Sequence, residues 1–170
     1  MTRPIPLRGG GPRRGLVLAG LLAVVAGCAI APSGPPATPP PPAAEVDGPF
    51  RLELALPRTD WRAGEAITGT ATLSYAGAAP TTVYGSGVGV IAFSYAEVGG
   101  TRRVDPAWTA DCTPHPIGPA APITAELSKS GAVGGTEPDA DFLRSFLTTD
   151  PGVVRLPAGT WDVSAVTMFL

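Results

Sequence analysis

The chain has 170 residues, with 12 Lys and Arg against 14 Asp and Glu, and a formal net charge of −2. Four of the basic residues (Arg3, Arg8, Arg13 and Arg14) precede Cys28, so the remainder carries 12 − 4 = 8 basic against 14 acidic residues, a net charge of −6. Nucleic-acid binders display basic patches, and this balance argues against nucleic acid and against phosphate-rich partners generally.

The first feature along the chain is an apolar run, Leu16–Ala26, preceded by Arg13-Arg14 and closed by Ala26-Gly27-Cys28. A basic start, a short apolar stretch and a small-residue cleavage site are the parts of a secretory signal peptide. Eleven residues are too few to span a bilayer, which takes about 20. Residues 1–27 are therefore expected to direct export and then to be removed.

Val25-Ala26-Gly27-Cys28 resembles the lipobox of bacterial lipoproteins. The resemblance implies cleavage between Gly27 and Cys28, a diacylglyceryl group on the Cys28 sulfur, and acylation of the new amine. Stable anchoring takes at least two acyl chains, a requirement such a group meets. The implied location is the outer face of a bacterial cell membrane, with the membrane itself as a partner through the lipid.

Ala29–Pro49 holds eight prolines, among them Pro39-Pro40-Pro41-Pro42, and no periodic apolar face. Residues 28–49 are read as the lipidated cysteine and a disordered tether, able to hold a domain on the order of 50 Å from the bilayer.

From residue 50 the pattern changes. Phe50, Leu52, Leu54 and Leu56 alternate as in a half-buried strand, and a second strand is predicted from Ile67 to Tyr75. A short strand at Thr81–Tyr84 leads to Gly85, Gly87 and Gly89. A phosphate loop would have to open a helix, but strand-like Val90–Tyr95 follows, so a bulge or bend is predicted. Gly99-Gly100 predicts a two-residue hairpin turn, and Trp108–Pro122 reads as a proline-dense loop. Ile123, Ala125 and Leu127 make a further strand. Asp139–Thr148 carries the helical stripe Phe142, Leu143, Phe146 and Leu147, expected to cap the core. Val153–Leu156 and the alternation from Trp161 to Phe169 complete the strands.

Short strands with Gly/Pro turns and one helix predict a mainly β fold for residues 50–170, an antiparallel β-sandwich. The segment Leu156-Pro157-Ala158-Gly159-Thr160-Trp161 resembles the Pro-x-Gly-x-aromatic turn of bacterial immunoglobulin-like domains, and Gly64-Glu65 is placed as in them. That likeness implies an extracytoplasmic binding or adhesion module. By the same likeness a last strand is expected beyond Leu170, carrying a cysteine able to pair with Cys112.

The cluster Asp111-Cys112-Thr113-Pro114-His115 has the Cys-x-x-His spacing of one blue-copper loop. Type-1 copper needs two histidines, and His115 is the only one in the chain. No metal or other cofactor is expected. Cys112 and His115 are too close in sequence to be supplied by separate elements as a nucleophile and its base, so Cys112 is read as a free thiol or half of a disulfide. Carboxylate chemistry would have to draw on Glu65, Glu97, Asp105 or Asp111, and no spacing singles any of them out. Trp108, beside Arg102 and Arg103, is the residue group expected to contact a ligand. The reading is a non-catalytic module that binds an envelope protein or a glycan. A proteinase-inhibitor-like module and a small carboxylate hydrolase are the alternatives.

Overall fold

A computed structural model of the chain describes residues 38–133 and 139–170. Gly27, Cys28, the leader and the first part of the tether lie outside the described residues.

The strands, in chain order, are β1 (Ala43–Asp47), β2 (Phe50–Ala55), β3 (Ala66–Ile67), β4 (Thr70–Tyr75), β5 (Thr81–Gly85) and β6 (Ile91–Glu97). They continue with β7 (Arg103–Val104), β8 (Thr113–Ile117) and β9 (Ile123–Glu126), then helix α1 (Ala140–Thr148), β10 (Val154–Arg155) and β11 (Trp161–Thr167). Every pairing is antiparallel. One layer has the order β1-β2-β4-β9; β11-β6-β7 forms the other, and β5-β8 and β10-β3 are two-stranded ribbons. The mainly β, antiparallel fold with one short helix predicted above is the fold observed.

Between the layers, Leu54, Ala71 and Leu73 meet Ile91, Phe93 and Tyr95 in one buried cluster. Helix α1 closes an end of it. Leu143 and Phe146 are buried, Phe142 and Leu147 pack beside them, and the Phe146 ring lies 5.4 Å from that of Tyr95.

Four local readings are revised. The tether was expected to run to Pro49, yet β1 lies inside it. Once prolines end at Pro42, Ala43–Asp47 can supply backbone donors, and Gly48 at φ +56° turns the chain into β2. All five β1 side chains are exposed, so no apolar alternation marked the strand.

The second predicted strand is broken into β3 and β4 at Gly69. There a Cβ would come within 2.5 Å of Leu56 Cδ2 and 3.0 Å of the Ala55 carbonyl oxygen, so any larger residue would have to displace both.

The β6–β7 hairpin has a four-residue loop, Val98–Thr101, instead of a two-residue turn. Glu97 N–H donates to the Arg102 carbonyl oxygen, closing the loop, and Gly99 alone of its two glycines has positive φ.

Finally, the proline-dense loop contains β8. In an antiparallel pair only alternate residues donate to the partner strand. Pro114 and Pro116 occupy the other positions, opposite Tyr84 and Thr82, and their nitrogens face away from β5. The Gly-rich run forms a tight turn, as the bend reading required. Gly89 N–H donates to the Ser86 carbonyl oxygen at 2.9 Å.

Candidate functional site

The loop between β7 and β8 carries Trp108 and is held at several points. Ser86, at the start of the Gly-rich turn, is 1% exposed. Its Oγ lies 2.6 Å from Thr109 Oγ1 and accepts the Thr109 N–H at 3.1 Å. Thr109 Oγ1 also lies 2.7 Å from Asp111 Oδ1, which accepts the Gly87 N–H at 2.7 Å; Asp111 Oδ2 accepts from Thr113 Oγ1. These bonds hold the Asp111 carboxyl below the usual carboxylate range, the Thr109 hydroxyl contributing most and the Gly87 N–H next. A Cβ at position 87 would collide with Asp111 Oδ2 and displace the carboxylate from the Gly87 N–H. On the other side, Ser130 Oγ donates to the Ala107 carbonyl oxygen at 3.1 Å.

Trp108 thus sits, half-buried, on a loop fixed at 107, 109 and 111. It lines an open cleft of about 500 Å³ with Val88, Ile91, Lys129, Leu147 and Pro151. The Lys129 ammonium donates to the Thr149 carbonyl oxygen and lies 4.9 Å from the Phe146 ring centroid. Desolvation is the main cause of its lowered pKa. The cleft offers an aromatic face and an apolar floor, while the Lys129 ammonium is turned to Thr149 and Phe146, which line a neighbouring cleft.

Arg102 and Arg103 do not join Trp108 there. Arg102 lies over Trp161 and Phe142, 5.2 and 5.6 Å from their ring centroids, and is ion-paired with Glu97. It ties the β6–β7 hairpin to the turn before β11. Arg103 donates to both oxygens of Asp105 at 2.8 Å and is exposed. Of the three residues expected to contact a ligand, only Trp108 lines this cleft.

No known protein family, curated protein or solved structure matches this chain.

Cys112 is an exposed free thiol with φ +46°, unpaired among the described residues. His115 Nε2 lies 2.9 Å from the Ser86 carbonyl oxygen. That acceptor places the ring proton on Nε2, so this nitrogen is a donor to backbone and not a base. A carboxylate hydrolase needs one carboxyl whose pKa is raised so that it can act as the acid. Glu65, Glu97 and Asp111 are all held below the usual range by hydrogen bonds: Glu65 by the Arg62 N–H and Arg58, Glu97 by Arg102, and Asp111 as above. Asp105 is ion-paired with Arg103.

Sequence reasoning missed the Ser86–Thr109–Asp111 network. Thr109 and Asp111 lie 23 and 25 residues from Ser86, and no local pattern links them.

Proposed function

We propose that this chain is an exported membrane lipoprotein, anchored through Cys28, whose β-sandwich binds an envelope protein or a glycan without catalysis. The observation that carries the binding reading is the half-buried Trp108 on a loop already fixed by hydrogen bonds. Aromatic anchors dominate recognition surfaces, and a contact ordered beforehand costs less entropy on association. The anchor rests on the lipobox resemblance alone.

The test has two arms. The full chain is assayed against envelope proteins and a glycan panel, and Trp108→Ala is expected to weaken the captured interaction about thirtyfold, the loss typical of a hot spot. Unchanged affinity would overturn the cleft as the contact. Inhibition of a protease panel by the same protein would replace this reading with that of an inhibitor. For the anchor, Cys28→Ser is expected to abolish palmitate labelling and to release the protein into the soluble fraction. Persistent labelling would overturn it.

A further inference from the structure

A second surface, on the opposite layer edge, is independent of the Trp108 cleft. Strand β11 pairs with β6 on one side only and, among the described residues, has no strand on the other. The register shows which of its amides are free. Met168 N–H donates to the Val90 carbonyl oxygen and Val98 N–H to that of Thr160. Antiparallel bonding alternates, so even-numbered residues of β11 exchange bonds with β6 and odd-numbered ones face outward. The N–H and C=O groups of Val163, Ala165 and Thr167 therefore point away from the sheet.

The inward side chains of β11 are incompletely covered. Their partners on β6, Phe93 and Tyr95, are 1% and 0% exposed, while Val163 and Ala165 remain half-buried. Two open clefts of about 520 and 550 Å³ lie along this edge: one bounded by Phe50, Leu52, Ala165 and Phe169, the other by Trp161 and Val163.

Overhanging the first is β1. Directly paired residues point to the same face of a sheet, and Glu45 is opposite Leu52 and Asp47 opposite Phe50. Both carboxylates thus share the face of the core residues, line the cleft with Ala165, and have no salt-bridge partner among the described residues. In the second cleft Asp60 and Asp162 outnumber Arg62.

We infer that the outer edge of β11 accepts an extended segment of a partner polypeptide as an added strand, with Lys or Arg at every second position. Backbone groups of Val163, Ala165 and Thr167 form the new ladder. Basic side chains lay their aliphatic stems along Phe50 and Ala165 and bring their charges to Glu45 and Asp47. The two acidic residues reject a strand that is merely apolar, because burying them unpaired is costly.

The probe is an acetylated, amidated hexapeptide of alternating valine and arginine, titrated against the full chain. Binding is expected, with slowed amide exchange at Val163, Ala165 and Thr167. Substituting glutamate for arginine in the peptide should abolish it. Ala165→Pro removes an outward N–H without touching the β6 ladder and should weaken binding about tenfold or more. The double variant Glu45→Arg, Asp47→Arg, on a fully exposed strand, should do the same. Trp108→Ala should leave peptide binding intact, which separates this inference from the cleft proposal. No binding at millimolar peptide, equal binding by Ala165→Pro and the charge-reversed protein, or exchange unchanged at those amides would overturn it. Concentration-dependent dimerisation that protects the same amides without peptide would also overturn it, in favour of a second copy.

Discussion

Arg102 and Trp161 are stacked, the guanidinium carbon 5.2 Å from the ring centroid, while Arg102 Nε donates to Glu97 Oε2 at 2.8 Å. A residue from the β6–β7 hairpin is thereby fastened to the first residue of β11, on the far side of β6.

That fastening predicts a pH-dependent loss in Arg102→Met. The hydrogen bond from Arg102 is the main cause of the lowered Glu97 pKa. A carboxyl depressed in the fold contributes stability above its unfolded pKa of about 4.3, lost as pH falls through the folded value. The urea midpoint of the variant should be modestly lower than wild type at pH 7, and the gap should narrow below about pH 4. A gap that is constant from pH 7 to pH 3 would contradict the assignment.

Tyr95 is fully buried and its hydroxyl donates to the Ser128 carbonyl oxygen at 2.7 Å. Tyr95→Phe leaves that acceptor without its donor and should cost about 1–3 kcal/mol at neutral pH by chemical denaturation. Burial pushes the phenol well above its ordinary value. A raised folded pKa contributes stability that is intact below the unfolded value, about 10, and lost as pH rises past it. Wild type should therefore lose its advantage over the Phe variant above about pH 10. An unchanged difference at pH 11 would count against a buried neutral phenol.

Asp111 links the Gly-rich turn to the Trp108 loop through Gly87, Thr109 and Thr113. Asp111→Ala should speed amide exchange at Gly87 and weaken whatever binding depends on Trp108, with little change in far-UV dichroism. Since the carboxyl pKa is lowered, the wild-type loop should hold through mildly acidic pH and loosen only below the usual carboxylate range. Exchange at Gly87 equal in wild type and variant would sink the claim that this carboxylate fixes the loop.

Period-two alternation made β2, β4 and β11 legible, because each has one face on the core and a more open one, whereas β6, with no exposed residue, was legible as an apolar run. The helix was legible for the same reason at a different period. Two strands escaped. In β1 no side chain is buried, and in β8 two prolines occupy the positions whose nitrogens need no partner. Arg102 was expected to meet a ligand because a charged residue near a loop suggests recognition. Its partners Glu97, Phe142 and Trp161 are brought together by tertiary packing that local pattern does not encode. Trp108 was legible as a residue, whereas its support, Ser86 and Asp111, was not.

Pro114 and Pro116 give the molecule a functional handedness. The outer rim of the β5-β8 ribbon presents carbonyls without matching donors, so it is deaf to an approaching backbone, while β11 on another flank keeps both halves of the vocabulary. Crowded copies of the domain cannot zip rim to rim into an endless sheet through that ribbon.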